Sequence, residues 1–503
     1  MSPAHSTDAD VFQVGVGLAN HDPVEAICVG GGASLCGRRV DPVNNPDAIA
    51  DPLDARAIAI TGANGQSTMI VTTTNIGYFL AYKQGAGAGQ GIYDMRLRIA
   101  DATGIPSTHI VVVSDHSHNG PDTIGIWGGV SEDYKRITAD SVVAAGIAAW
   151  EARQPARLSV AAVNRNDSPL ADVPRLDSSY NTPPGNDLAA GNPSNEFRVL
   201  VAEHAQTGAR LATLINYAPH ATVWNGVATD QVTGDWAAWA TQVSEERYGG
   251  FGLATIGSVG ATDWNKSGDK EARKAEAVQR LGVLLEAAEA VRTPVSGAEV
   301  EVASTFIREA ITQPVLLLNY KPGLPTDQPG APGEGFDIRI DRAITPPFLN
   351  GTVFGTYVSA IRIGDVFVST FPGEPFGELE LALRQRITGP QTHFLLGAAN
   401  DFFGYMVFAP ETYRQIFLTG AAWLAGCPEQ NLYDALGIPY DGGCADHWTL
   451  MVSPTIGQHI VCTLQDGAEA IGFDGGARDP NCAALTLVDG VLPPAEQAGR
   501  HTQ

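Results

Sequence analysis

The stretch IVVVSDHSHNGPD, residues 110–122, is the part of the sequence that most strongly indicates the fold class. Its four β-branched residues, 110–113, are typical of a buried strand, and Gly120-Pro121 marks the loop that follows. His116 and His118 stand between the strand and the turn. Residues i and i+2 of an extended segment point the same way, so both imidazoles are expected to face one cavity. From this motif alone, surface loop histidines are the alternative interpretation.

The rest of the chain alternates between strand-like and helix-like patterns. We predict strands at 11–17, 57–61, 68–74, 110–115, 158–163, 199–203, 211–217, 251–256, 299–306, 359–363, 366–371 and 393–397. We predict helices at 93–102, 131–153, 235–248 and 270–292 and a further helix that ends near 386. This alternation predicts an α/β fold, a large mixed-sheet domain with helices flanking the sheet.

Composition limits the classes of partner. The chain has 503 residues, of which 44% are hydrophobic, enough for one large domain. The net charge of −24 disfavours nucleic acid and anionic membrane surfaces, because both need a basic protein face. No apolar run reaches the roughly 18 residues of a transmembrane helix.

The cysteines indicate the cellular compartment in which the protein is found. The six cysteines form no zinc-knuckle spacing, so we predict disulfides in an exported protein, with Cys28–Cys36 as one candidate bridge. No signal peptide is visible in residues 1–10, as in a trimmed mature form. A secreted or periplasmic location is therefore expected, and buried free thiols in a cytoplasmic protein are the alternative.

Several predicted strands end at a residue that suits metal binding or proton transfer. Each has an ordinary alternative: a backbone hydrogen bond for His220, a favourable charge at a helix N-terminus for Glu374, and core packing for Tyr405. Their shared placement at strand ends favours a common site instead. The residues concerned are His116, His118, His220, Asp263, Glu374 and Tyr405.

Two histidines and a carboxylate are a familiar set of catalytic zinc ligands, so Zn²⁺ is the predicted cofactor. Zinc lowers the pKa of a bound water toward about 7 and polarises a carbonyl, which suits hydrolysis of an amide or an ester. The Tyr405 phenol would be a further ligand or would stabilise the oxyanion. No GxSxG motif and no cysteine in a convincing context offers a rival nucleophile.

At the level of motifs, DHSHNGP at 115–121 resembles the His-x-His-Ser-Gly-Pro segment of the neutral and alkaline ceramidase family. The resemblance runs over roughly residues 11 to 415, and its motifs keep the order of the family. The other matching segments are VGVG at 14–17, NYAPH at 216–220, FPGEP at 371–375, NDFFGY at 400–405 and ETY at 411–413.

Members of that family are secreted or surface zinc amidases that cleave the N-acyl bond of ceramide. Carried over motif by motif, the resemblance implies that zinc is bound by His116, His220, Glu374 and Tyr405. It implies that His118 is a catalytic partner beside the metal-bound water. The domain boundaries that follow are a ceramidase-like zinc hydrolase domain at 1–415 and a Cys/Gly-rich C-terminal extension at 416–503, packed on the same domain.

Two positions depart from the family pattern and put the substrate in question. Asp263 stands where the family has a catalytic serine, and Asp167 stands where the family's Arg-Asn-Arg has its second arginine. Asp263 would act as a general base, orient a cationic or hydroxylated substrate, or cap a loop. We expect no counterpart in residues 416–503 of the separate C-terminal β domain that longer members have.

Three functions remain open from the sequence. The first is a zinc amidase for a small-molecule or lipid-like N-acyl substrate other than ceramide. The second is a zinc esterase or lactonase on the same scaffold. The third is a non-catalytic secreted metal-binding protein. An open coordination position would favour an enzyme, and a closed shell of protein ligands would favour the third. The head group, the oligomeric state and the disulfide pairing are not determined at this stage.

Overall fold

The computed structural model describes residues 11–31, 36–80, 89–165, 176–177, 193–227, 230–264, 267–310, 353–406, 456–478 and 482. Within these ranges a large sheet and a smaller sheet pack face to face, and helices cover the outer side of each. The predicted α/β fold with a large mixed sheet and flanking helices is confirmed.

The large sheet has the strand order β11-β10-β9-β7-β1-β4-β5-β6. Its strands along this order are β1 Phe12–Asn20, β4 Asp54–Thr61, β5 Ser67–Thr73, β6 Ile110–Ser114, β7 Gln154–Asn164, β9 Glu196–His204, β10 Arg210–Tyr217 and β11 Phe251–Ile256. A ninth strand, β13 Thr293–Pro294, pairs with β7. The pairs β5/β6 and β10/β11 are parallel and the other neighbours are antiparallel.

The smaller sheet has the order β14-β15-β16-β18. Its strands are β14 Val300–Ala310, β15 Val353–Ile363, β16 Val366–Thr370 and β18 Thr392–Leu396. Only β16/β18 is parallel. The sequence pattern predicted most of these strands but not that they form a sheet of their own. Strand periodicity reports which faces are apolar and not which strand pairs with which.

Short elements complete the described fold. The two-residue strands are β2 Ile27–Cys28, β3 Arg39–Val40, β8 Leu176–Asp177, β12 Asp263–Trp264, β13 Thr293–Pro294, β17 Glu374–Pro375 and β19 Tyr405–Met406. The 3₁₀ turns are Pro46–Ala48, Ser107–His109, Pro193–Asn195 and Val259–Ala261.

The helices lie on the outer faces of the two sheets. They are α1 Ile92–Thr103, α2 Glu132–Glu151, α3 Asp235–Tyr248, α4 Lys270–Val291, α5 Gly377–Arg386 and α6 Ile456–Ala470. Helices α2, α3 and α4 pack on the large sheet and α1 packs on α2, while α6 packs on β14, β15 and α5. Ser131 caps α2, because its hydroxyl accepts a hydrogen bond from the Tyr134 N–H at 3.0 Å.

Side-chain size decides how the layers fit. In β4 the isoleucines Ile58 and Ile60 share a buried cluster with residues of the smaller sheet, such as Ile361. The alternate residues on the helix side are small alanines, and β1 carries Gly15 and Gly17 beneath α2. Large residues therefore fill the space between the sheets, and small ones let α2 approach the backbone closely.

A side chain at Gly17 is expected to break this contact. A Cβ there would lie 2.1 Å from the Ala145 carbonyl oxygen, so Gly17→Val forces α2 off the sheet. We expect it to lower the free energy of unfolding by at least about 3 kcal/mol, measured by urea denaturation. Leu18→Thr is the control, because Leu18 is 52% exposed and its replacement should change stability by no more than about 0.5 kcal/mol. Equal effects of the two changes would contradict the close approach.

The pH dependence of stability should depend on His21. Its ring is buried between the Tyr134 hydroxyl (3.1 Å) and the Thr73 hydroxyl (3.2 Å), and this burial lowers its pKa to about 4. Between pH 4 and the unfolded pKa of about 6.5, the unfolded chain binds a proton that the folded chain does not. Stability therefore rises with pH across this window, by up to about 3 kcal/mol.

This dependence can be measured by urea unfolding of wild type and His21→Asn at pH 4.5 and 7. The variant should be less stable at pH 7 but should show a smaller increase between the two pH values. The same increase in both proteins would show that His21 is not the group responsible.

Two disulfides lie among the described residues, Cys28–Cys36 and Cys462–Cys482. The first was the predicted bridge. Cys427, Cys444, the ETY segment at 411–413 and the predicted boundary near 415 lie outside the described residues. None of the described helices is both long and apolar enough to cross a bilayer.

Candidate metal centre

The candidate site lies where the carboxyl ends of strands from both sheets meet. The Gly397 N–H, just after β18, donates to the Ile256 carbonyl at the end of β11 over 2.9 Å. The Asn400 N–H donates to the Val112 carbonyl of β6 over 2.7 Å. Segments that follow β6, β10, β11, β16 and β18 therefore converge on one region. This convergence brings together residues that are far apart in sequence, as their common position at strand ends suggested.

Three imidazoles lie at this junction. The possible ligand atoms of His116, His118 and His220 all lie within 4.8 Å of one another. Their ring centroids are 5.1 Å (116–118), 5.3 Å (116–220) and 5.6 Å (118–220) apart. His116 is 2% exposed, His220 is 8% exposed and His118 is half-buried. The alternative that His116 and His118 are surface loop histidines is therefore wrong, and the group could hold a metal ion.

Backbone carbonyls fix the rings of His116 and His220. The Nδ1 atom of His116 lies 2.7 Å from the Ile76 carbonyl, and that of His220 lies 2.7 Å from the Thr262 carbonyl. A carbonyl only accepts, so each Nδ1 carries the hydrogen and each Nε2 is the atom presented to the site. This is the arrangement usual for histidines that bind a metal through Nε2.

The backbone at His116 has a positive φ of 58°, a conformation that non-glycine residues rarely adopt. The His116 ring stacks on Phe402, with centroids 5.2 Å apart. Asp115 stabilises the same turn, because its carboxylate accepts hydrogen bonds from the N–H groups of Asn75 (3.1 Å) and Ser117 (3.2 Å). Burial raises the pKa of Asp115 to about 8. Such strained turns persist where the surrounding structure holds them.

Glu374 lies between the two fixed imidazoles. Its Oε2 atom is 3.0 Å from His220 Nε2 and 3.4 Å from His116 Nε2, and the residue is 5% exposed. Burial alone raises its pKa, but the two histidines hold the net pKa well below the usual range. Burial likewise lowers the pKa of His220, yet hydrogen bonding to Glu374 and its charge raise the net value.

The donors present fit a divalent metal ion. Two imidazole Nε2 atoms and one carboxylate oxygen converge, and His116 Nε2 is buried without a hydrogen bond of good geometry. A buried nitrogen acceptor in that condition is costly unless a cation or a donor meets it. Nitrogen and oxygen donors in this number match the ligand preferences of zinc.

The structure places the remaining predicted residues beside this group. Short strands β17 and β19 pair Glu374 with Tyr405, and the Tyr405 ring centroid is 6.4 Å from that of His220. Asp263 is half-buried, and its carboxylate accepts hydrogen bonds from the Thr222 hydroxyl and from the Trp264 N–H. Its charge also contributes to raising the pKa of His220. All six predicted residues therefore lie in one region.

Sequence reasoning missed a residue that shapes the loop after His220. Asp235 is fully buried at a positive φ of 53°, and its carboxylate accepts hydrogen bonds from the N–H groups of Val223, Trp224 and Trp236. In the sequence it was only the first residue of a predicted helix. The signal in the sequence was a carboxylate directly after Gly234, at the start of a predicted helix. Such a carboxylate indicates a helix cap more readily than a residue that stabilises a functional loop.

The fold and the site together define an α/β protein with a candidate metal centre at the strand ends. Among solved structures, the chain is similar to the neutral ceramidase from Pseudomonas aeruginosa, with a TM-score of 0.63 and 16% identity over 95% of this chain and 78% of that one. It is also similar to a ceramidase complexed with C2, with a TM-score of 0.62 and 16% identity over 93% and 76% of the two chains. No protein-family model and no curated protein matches the sequence. The resemblance to ceramidases is therefore confirmed in the fold.

Proposed function

We propose that this protein is a zinc-dependent hydrolase that cleaves the amide bond of an N-acyl substrate. One observation carries the proposal: the buried Glu374 carboxylate lies 3.0 Å and 3.4 Å from the Nε2 atoms of two histidines whose Nδ1 atoms face backbone carbonyls. Buried charges at such spacing are usually paired or bind a metal. The ceramidase fold supports amide hydrolysis as the reaction.

In this proposal Zn²⁺ is held by His116, His220, Glu374 and Tyr405. The ion would supply a Lewis acid that polarises the scissile carbonyl and acidifies water. The carbonyls of Ile76 and Thr262 keep the two rings oriented, so that binding needs little rearrangement. The Tyr405 phenol is also proposed to donate to an oxyanion.

His118 is proposed as the group that moves protons. It is half-buried beside the other two rings, and an imidazole can take a proton from the attacking water and deliver it to the departing amine. This role differs from that of a third metal-binding histidine, which the proximity of the three rings would also allow. The two roles predict different behaviour on mutation.

Asp263 is proposed to act on the substrate. Its half-buried carboxylate is anchored by Thr222 and Trp264, a fixed position from which it can orient a cationic or hydroxylated group or serve as a base. A small-molecule or lipid-like N-acyl compound other than ceramide is the proposed substrate. The disulfides support a secreted or periplasmic location. The proposed domain boundaries stay at 1–415 and 416–503.

The test is metal content by mass spectrometry on protein purified without chelator, followed by hydrolysis of matched fluorogenic acyl amides and acyl esters. We expect about one zinc per chain and cleavage of amides. Cleavage of esters alone would favour an esterase or lactonase. A folded protein that binds no zinc even when zinc is added would contradict the proposal.

A further inference from the structure

The segment Cys28–Gly31, which the Cys28–Cys36 disulfide links to Cys36, lies against His118. A Cβ at Gly31 would be 2.3 Å from His118 Nδ1 and 2.8 Å from its Cβ and Cγ atoms. A side chain at Gly31 would therefore force the imidazole or the Gly31 backbone to move. Its φ of +66° also favours glycine. Two independent features, the close contact and the backbone conformation, therefore disfavour a larger residue here.

The two ends of this segment are fixed to the loop that follows the histidines. The Gly30 N–H donates to the Gly120 carbonyl at 3.0 Å, and the Asp122 N–H donates to the Cys28 carbonyl at 3.0 Å. Cys36, joined to Cys28 by the disulfide, donates its N–H to the Trp127 carbonyl at 2.7 Å. The segment and the histidine loop therefore form one hydrogen-bonded unit on the side of His118.

Arg38, two residues after Cys36, is hydrogen-bonded to both the Cys28–Gly31 segment and the histidine loop. It is 9% exposed, and its Nη1 donates to the His118 carbonyl at 2.9 Å, to the Gly30 carbonyl at 3.3 Å and to Asn225 Oδ1 at 3.3 Å. One guanidinium thus connects the main chain of His118 with the chain just before Gly31. A change in the backbone path of the segment would therefore displace the main chain at both Gly30 and His118.

We propose that the Cys28–Gly31 segment, which the disulfide links to Cys36, is a positioning element for His118, with Gly31 as the residue in contact. Backbone carbonyls orient the rings of His116 and His220, whereas the Gly31 backbone contacts the His118 ring and limits the positions that the ring can take. The disulfide limits the conformations open to Cys28 and therefore to nearby Gly31. The inference concerns the geometry of His118 and does not depend on which bond the protein hydrolyses.

The first test compares Gly31→Ala with Gly65→Ala. Both glycines have a positive φ, +66° and +80°, but a Cβ at Gly65 meets no atom within 4 Å. The cost of placing alanine at a positive φ is therefore similar for the two variants, and only the new methyl group of Gly31→Ala overlaps with His118. In metal-free protein, the readout is the rate at which diethyl pyrocarbonate modifies His118, followed by mass spectrometry with half-buried His204 as internal reference. We expect a several-fold change in that rate for Gly31→Ala alone.

The second test removes the disulfide, with Cys28→Ser/Cys36→Ser compared against Cys462→Ser/Cys482→Ser. This second test also examines the positioning role if the Gly31→Ala variant does not fold. We expect the first pair alone to speed modification of His118. In zinc-loaded protein, it should lower kcat about 100-fold with KM and zinc content little changed, because the misplaced group acts in the chemical step.

The positioning role is overturned if His118 is modified at the wild-type rate in the folded Gly31→Ala and Cys28→Ser/Cys36→Ser variants. It is also overturned if the Gly65 and Cys462/Cys482 controls change that rate as much. A wild type that hydrolyses nothing would contradict the proposed function but would leave the modification result decisive.

Discussion

His220→Ala is expected to remove the bound metal and the hydrolytic activity together. The substitution deletes one of the two nitrogen donors that face Glu374 and the partner that lies 3.0 Å from its carboxylate. Zinc content should fall from about one ion per chain to near zero, and activity should fall to the rate of the uncatalysed reaction. Metal analysis and hydrolysis of the preferred substrate measure both effects.

The same change should also destabilise the fold. Glu374 is 5% exposed, and removing one partner of a buried charged pair costs roughly 3–5 kcal/mol. His204→Ala is the matched control, because His204 lies beside the start of β10, whereas His220 follows the other end of that strand. If His220→Ala kept its zinc, His220 would not be a ligand and the proposed site would be wrong.

His118→Asn is expected to lower kcat by roughly 10²- to 10⁴-fold while zinc content stays at the wild-type level. The reason is that the proposed role of His118 is proton transfer, and the proposed ligands His116, His220 and Glu374 remain. The measurements are kcat and KM as functions of pH, together with zinc per chain. A limb of the wild-type pH profile should disappear in the variant.

His116→Asn provides the comparison that separates the two roles of a histidine in this group. It removes a proposed ligand with the same change of side chain, so zinc and activity should be lost together. If His118→Asn also lost its zinc, His118 would belong to the ligand set, as the 4.8 Å proximity of the three histidines would allow. If it kept full activity, His118 would have neither role.

The sequence by itself determined most of the local structure. Strands β1, β4 and β6 and helix α2 were predicted because their sequence patterns reflect local preferences and burial. The sequence also predicted the position of the site, because side chains that follow parallel strands meet at one edge of the sheet. The histidine motif and the order of the other segments indicated the ceramidase fold.

Only the tertiary structure decided how these parts act on one another. His116, His220 and Glu374 are separated by more than a hundred residues, so their convergence depends on how the second sheet packs on the first. The low pKa of Glu374 and the contact of Gly31 with His118 are properties of that packing. Local periodicity specifies which face of a strand is buried, but the partner it meets is set by contacts distant in sequence.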